Sequence, residues 1–287
     1  MSYKKLKKEF TEIFPSRLLD SHKGDYGKIL FISGSRGMTG AAYLASSAAL
    51  RCGAGLVTLA IPESLNAIME VKLTEVMTLP ISDDGKGFLS IDRIDEINKG
   101  VQDKDAIAIG PGLGQNESTF LLVRELCAGI KQPLVLDADG LNAFVKNTAS
   151  LSALPAEVII TPHEGEFVRL FGLINGSREE CALLVAREYN VVVVLKGART
   201  VVASPQGDVY TNTSGNPGMA TGGTGDCLTG MITAFLGLKL SLFHAAKFAV
   251  LLHGCAGDIA CNEYGEVSMS ATDLLQSIPK AILRFTK

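Results

Sequence analysis

Residues 215–230 read GNPGMATGGTGDCLTG, one acidic residue, Asp226, among glycines and directly ahead of an apolar run. Glycine lets the backbone adopt positive φ and lets amide N–H groups approach a ligand closely, so Gly222, Gly223 and Gly225 can line a concavity for an anion. Leu228, Ile232 and Phe235 recur at helical spacing, which predicts a helix starting near Gly225 and Asp226. The positive end of such a helix favours phosphoryl oxygens. A carboxylate there repels phosphate, and it makes chemical sense if it accepts a proton from a hydroxyl that attacks phosphorus, as in a kinase. The same letters also describe an ordinary helix cap behind a glycine loop. No Lys-Ser or Lys-Thr pair follows the glycines, so this is not a Walker A loop. Gly110, Gly112 and Gly114 do not fit GxGxxG either, because Gln115 stands where the third glycine belongs.

Chemistry of this kind needs a rigid frame, and the rest of the chain reads as one. Apolar runs suited to buried strands end repeatedly in Gly, Asp, His or Lys: KILFISGS at Gly34 and Ser35, AIAIGPGLG at residues 110–114, PLVLDADG at Asp137 and Asp139, EVIITPHEGEF at His163 and Glu166, and VVVVLKG at Lys196. In a parallel sheet those carboxyl ends are where ligands gather. Helices are expected at 39–51, near 63–70, near 90–99 and after DADG, with further strands at LVTLAI and near 75–79. This alternation predicts right-handed βαβ units. The alanines of 39–51 permit close packing or leave room for a ligand. Asp137 or Asp139 is a site residue or a helix cap. His163 with Glu166 binds substrate or hydrated magnesium, or forms an N-terminal capping cluster. Lys196 suits a nucleotide phosphate. Two short strands flank a turn at 205–208, which places them at an antiparallel edge. His244, His253 and Asp258 lie on a long helix or helix pair and read as structural, ahead of a closing amphipathic helix at 272–285.

The 287 residues are 47% hydrophobic, enough to bury the core of one large α/β domain covering residues 1–287. A net charge of −3 excludes a basic surplus for nucleic acid or an anionic membrane. The six cysteines lack CxxC or metal spacing and read as reduced core thiols. The start, MSYKKLKKEFTEIF, carries no apolar signal core, and its Leu6, Phe10, Ile13 and Phe14 form an amphipathic stripe expected to pack on the body. A cytoplasmic protein is expected.

SHKGDYG, MTGAA, GPGLG, DADGLN, TPHEGE, LKG and GNPGMATGGTGD stand in this order between residues 21 and 226. Together they closely resemble the NAD(P)H-hydrate dehydratase family. The resemblance implies a ribokinase-like three-layer α/β/α fold with a mostly parallel central sheet. It implies ADP-dependent dehydration of hydrated NADH or NADPH through phosphorylation of the ring hydroxyl and elimination of phosphate, with AMP as co-product. Eukaryotic relatives use ATP instead. Asp226 matches the catalytic base, and Gly223, Thr224 and Gly225 match the anion hole. Ala41 or Ala42, Gly112, His163 and Asp226 match positions contacting the hydrated cofactor. Lys196, Gly197, Ala198, Arg199 and Thr200, with Gly225, match the segment around AMP. Ribokinase-like relatives commonly carry Asn-x-x-Glu near magnesium; here His163 stands first, so only Glu166 inherits a role toward Mg2+, through water. The resemblance further implies a homotetramer working beside a separate epimerase. Two rivals remain open: a small-molecule hydroxyl kinase of the same superfamily acting on a vitamin precursor, and a catalytically silent nucleotide-binding module.

Overall fold

The computed structural model describes residues 3–14, 17–173 and 175–286. In chain order it contains α1 (Tyr3–Ile13), β1 (Lys28–Ile32), α2 (Thr39–Arg51), β2 (Leu56–Pro62), α3 (Glu63–Lys72), β3 (Met77–Ile81), α4 (Ile94–Val101), β4 (Ala106–Ile109), α5 (Glu117–Gly129) and β5 (Leu134–Leu136). There follow α6 (Asp139–Asn142), β6 (Val158–Ile160), α7 (Glu164–Phe171), α8 (Arg178–Tyr189), β7 (Val192–Leu195), β8 (Val201–Ala203), β9 (Val209–Thr211), α9 (Thr224–Gly237), α10 (Leu242–Tyr264) and α11 (Ala271–Thr286).

Among the described residues nine strands join one sheet in the order β3-β2-β1-β4-β5-β6-β7-β8-β9. The pairs from β3 through β7 are parallel, and β8 and β9 run antiparallel at the edge. The central strands are apolar throughout because helices cover both faces. Ile29, Phe31, Val135, Ile159 and Val194 point into one core with α2, α9, α10 and α11. Leu30, Ile32, Leu134, Ile160 and Val193 point into the other with α4, α5, α7 and α8. The period-2 alternation of the strands thus divides the molecule into three α/β/α layers.

Three expectations change in detail, and one open alternative is decided. The helix expected near 90–99 is a 3₁₀ turn, Ile91–Arg93, followed by α4. The strand expected near 75–79 spans 77–81 and lies at the sheet edge, half-exposed. The helix after DADG is a single turn, Asp139–Asn142. The chain from 242 to 264 forms one helix rather than two. The amphipathic start packs on the body as expected, Phe10 being fully buried and set edge-on to Phe248 and Phe285.

Strand order reverses between β1 and β4: the chain builds outward through β2 and β3, then returns to the other side of β1. At such a switch point the loops leaving the two strands part and open a crevice at their carboxyl ends. Close helix packing brings α9 over this crevice. A Cβ on Gly230 would lie 2.1 Å from the carbonyl oxygen of Ala45, so α9 and α2 approach to backbone contact there.

Candidate active site

The helix that carries Asp226 starts where it does because Gly223 turns the chain. Gly223 takes φ 96°, in the left-handed region, and a Cβ on it would stand 2.4 Å from Leu44 Cδ1. Only glycine fits this corner without strain. The Thr224 hydroxyl donates to the carbonyls of Met219 and Thr221, at 3.0 and 3.1 Å, so it is committed to the loop and only its amide is left for an anion. The loop is pinned from α10 as well. Asp258 accepts from the Gly215 amide at 3.0 Å and the Asn216 side chain at 3.1 Å, and His253 Nε2–H donates to the Thr224 carbonyl at 2.8 Å. Burial pushes His253 down to about 4, so it stays neutral and acts as a fixed donor. His253 and Asp258 are structural, as their sequence context suggests, but the structure they maintain is the site itself.

Asp226 stands in the first turn of α9, half-buried, and its carboxylate forms no hydrogen bond to any described residue. Burial first, then the neighbouring Asp137 carboxylate and Asp139, push it up to about 7, against a partial opposing pull from Lys196. A base that titrates near neutrality and has no competing donor is suited to taking a proton from a substrate hydroxyl. The ordinary-cap reading does not fit, because the N-cap position is filled by Gly223 and Asp226 caps no amide with its side chain.

Lys196 lies at the end of β7, with Nζ 2.6 Å from Asp137 Oδ1 and 3.9 Å from Glu166 Oε2. A Cβ built on Gly225 would sit 3.6 Å from the same Nζ, which places the ammonium at the mouth of α9. Burial opposes its charge, but the carboxylates of Asp137 and Glu166 outweigh this and raise it. In the sequence Lys196 suits a nucleotide phosphate; in the structure its partner is the Asp137 carboxylate. Asp137 is 1% exposed. Burial alone would raise its proton affinity, but the Lys196 ammonium and donors from Lys196, Thr229 and Thr161 hold it below the ordinary carboxylate range. Asp137 is therefore a buried counter-ion and not a helix cap. Asp139 plays a different part, accepting from the Gly114 amide at 2.9 Å and so tying α6 to the loop after β4.

Of the TPHEGE residues, His163 is the N-cap of α7. Its Nδ1 accepts from the amides of Gly165 and Glu166, and Glu166 accepts from the His163 amide at 2.8 Å. With Nδ1 accepting, the proton rests on Nε2, and a ring more than half exposed carries it. The capping reading is the one observed, and Nε2 lies outside the cap. Gly112 takes φ 65°, and a Cβ there would meet Met38 and Ala41 at 2.8 to 3.0 Å. Ala42 is fully buried against Gly34, so of the alanine pair only Ala41 keeps exposed surface beside Gly112.

Lys196, Gly197, Ala198, Arg199 and Thr200 form a strap from β7 to β8. Gly197 and Arg199 both take positive φ, and the Thr200 hydroxyl closes the turn on the Gly197 carbonyl at 3.0 Å. Arg178 of α8 holds the strap by donating to the carbonyls of Leu195 and Lys196, at 2.9 and 3.0 Å, while pairing with Glu164. Ala198 and Arg199 stay exposed. Among the described residues no group of three or more His, Cys, Asp or Glu can hold a metal ion. Glu166 is occupied by its cap and by Lys196. The donor set therefore suits a magnesium ion that keeps its waters and arrives with phosphates, and does not suit one caged by protein. A cleft of about 1160 Å³ opens at the opposite end of the sheet among Asp105, Pro133, Asn190, Tyr210 and Lys247, away from all of these groups.

The match to known proteins decides what this geometry belongs to. A family model described as NAD(P)H-hydrate dehydratase matches residues 29–280. The chain belongs to the NAD(P)H-hydrate dehydratase family. The bifunctional NAD(P)H-hydrate repair enzyme of Moorella thermoacetica is 45% identical over 269 residues, which cover 92% of this chain and 51% of that protein. The chain thus spans about half the length of the curated relatives it matches. The crystal structure of ADP/ATP-dependent NAD(P)H-hydrate dehydratase from Bacillus subtilis, co-crystallised with ATP and Mg2+, superposes with a TM-score of 0.83 at 34% identity, covering 97% of both chains. A ribokinase-like superfamily protein from Enterococcus faecalis gives a TM-score of 0.84 at 27% identity over 97% of this chain and 94% of that one. The dehydratase-family fold is ribokinase-like, as its sequence motifs imply. Thr229, Thr161 and Arg178 do not stand out in the sequence. Thr229 lies three residues after Asp226 and so on the same face of the helix; Thr161 stands among the polar residues that end the EVIIT run, whereas Arg178 acts from α8 on the strap and carries no such local signal.

Proposed function

We propose that this protein, as one catalytic unit over residues 1–287, dehydrates hydrated NADH or NADPH at the expense of ADP. Asp226 takes the proton from the hydroxyl on ring carbon 6, and that oxygen attacks the terminal phosphorus of ADP. The bond from this phosphorus to the bridging oxygen breaks and AMP leaves. The lone pair of the ring nitrogen then expels inorganic phosphate from carbon 6, and loss of the carbon 5 proton restores the dihydronicotinamide. Hydroxide is a poor leaving group and phosphate a good one, which explains kinase-like groups in a lyase. The amides of Gly223, Thr224 and Gly225 and the positive end of α9 receive the charge of the transferred phosphoryl group. Ala41, Gly112 and the Nε2–H of His163 line the hydrated-cofactor side, with the buried Ala42 behind them, and the strap at 196–200 takes the adenylate. Glu166 would hold a magnesium ion through its waters, and the ion would supply neutralisation of phosphate charge.

The single observation that carries this reading is the unpartnered Asp226 carboxylate, poised near neutrality at the mouth of an anion-binding helix. The family match supports the substrate, and the B. subtilis dehydratase supports an adenine nucleotide with magnesium. A cytoplasmic homotetramer supplied by a separate epimerase completes the proposal; among the described residues no helix is long and apolar enough to cross a membrane. The test is incubation with enzymatically prepared NADHX, magnesium and either ADP or ATP, following the NADH absorbance together with AMP and phosphate. Recovery of NADH with stoichiometric AMP and phosphate is expected with ADP. Recovery only with ATP changes the donor. A stable phosphorylated product from another hydroxyl substrate, with no NADH formed, replaces this reading with that of a hydroxyl kinase.

A further inference from the structure

A lysine beside a catalytic carboxylate poses a problem. If the two paired directly, the carboxylate would be neutralised and a poor base. The structure places Lys196 and Asp226 at the same helix mouth, yet the ammonium is bonded elsewhere, to Asp137 Oδ1 at 2.6 Å. Asp137 cannot turn away to follow another partner, because Thr229 Oγ1 donates to its Oδ2 at 2.6 Å. Thr229 lies on α9 itself, one turn beyond Asp226, and is fully buried. The helix that presents the base thus also clamps the group that restrains the lysine.

We propose that Asp137, clamped by Thr229, is a positioning residue that holds the Lys196 ammonium at the phosphoryl site while keeping it off Asp226, so that one pocket contains both a free base and a fixed cation. The proposal rests on the reading of Asp226 as the base. The charged and titratable groups that act on Asp226 are Asp137 beyond β5, Asp139 of α6, Lys196 beyond β7 and Cys227 of its own helix, and those that act on Lys196 in addition are Glu166 of α7 and His253 of α10. Only Lys196 and a protonated His253 bring positive charge, and His253 stays neutral above about pH 4. Removing the Asp137 charge therefore leaves Lys196 less opposed in acting on Asp226, with Glu166 and Asp139 remaining, and both changes lower the proton affinity of the base.

The test is the pH profile of kcat for Asp137→Asn, Asp137→Asn with Lys196→Met, and Thr229→Val, with folding followed by circular dichroism and Asp226→Asn as the reference. Asp137→Asn is expected to move the acidic limb down by about one pH unit or more and to lower the plateau, as a weaker base must. The double variant, which removes both charges, returns the limb toward the wild-type position while raising KM for ADP. Thr229→Val keeps every charge and only frees Asp137; it shifts the limb in the same direction by less, and decides the question if Asp137→Asn does not fold. An unmoved limb in folded Asp137→Asn or, failing that, in Thr229→Val, while Asp226→Asn is inactive, overturns the positioning role alone. An active Asp226→Asn overturns the underlying assignment of the base instead.

Discussion

Asp226 combines a chemical advantage with a cost to stability. In the folded protein its carboxyl is raised to about 7 by burial and by Asp137, whereas in the unfolded chain it titrates as an ordinary carboxylate near 4. The stability this gives is fully present below the unfolded value and is lost as pH rises through the folded one. Asp226→Asn should therefore raise the melting temperature more at about pH 8 than at about pH 5, a comparison that calorimetry makes directly. The same substitution should lower kcat by about a hundredfold to ten-thousandfold with nucleotide binding retained, since it removes the base and keeps its shape. In the wild type, kcat should decline by about tenfold per pH unit on the acidic side of the Asp226 titration, because only the deprotonated form accepts the hydroxyl proton. A profile with no acidic limb between pH 5 and 8 would remove Asp226 from this role.

At the scale of elements, two glycines three and one residues before Asp226 play opposite parts. Gly223 has positive φ and no room, so Gly223→Ala should cost about 1–3 kcal/mol in denaturant unfolding, through backbone strain and overlap with Leu44 and Ala271. Gly225 is helical, and a methyl there meets only Lys196 Nζ, at an ordinary contact distance of 3.6 Å. Gly225→Ala should then fold at least as stably as the wild type, by up to about 1 kcal/mol, because alanine loses less backbone entropy in a helix. Its methyl nevertheless occupies the space in front of the amides proposed to receive the phosphoryl group, so KM for the nucleotide should rise and turnover should fall. Loss of stability in Gly225→Ala, or unchanged kinetics, would contradict this geometry. The α9–α2 contact depends equally on small size, since Gly230 has no space for a side chain against the Ala45 carbonyl.

For the whole molecule, the sheet supplies the crevice and α10 holds its rim. Asp258 and His253 reach from that helix to opposite ends of the glycine loop without facing a substrate. Asp258→Ala should leave the melting temperature nearly unchanged, raise KM for the nucleotide and increase protease cutting within 215–223, because the loop loses two hydrogen bonds at its start while the core is untouched. Unaltered proteolysis together with unaltered KM would show that the loop holds its shape without α10. The proposed tetramer predicts a solution mass four times the 30.4 kDa of one chain, measured by light scattering.

Much of this architecture is written locally in the chain. Apolar runs that stop at Gly, Asp, His or Lys mark parallel strands and their ligand-bearing ends, because burial on both faces leaves no polar residue within such a strand. The helix start near Asp226 follows from residue types alone, whereas for His163 and Glu166 the letters allow a cap or a ligand site equally. What separates along the chain had to be brought together by the fold. Nothing in the letters assigns Asp137 to Lys196, 59 positions apart, or to Thr229, 92 positions apart. The choice between counter-ion and cap for Asp137, and between exposed and buried for Ala41 and Ala42, depends on which side chains the sheet places opposite each other. The charge state of Asp226 has the same origin: it is the sum of burial and of charges delivered from the ends of other strands, and a field of that kind exists only once those strands are side by side.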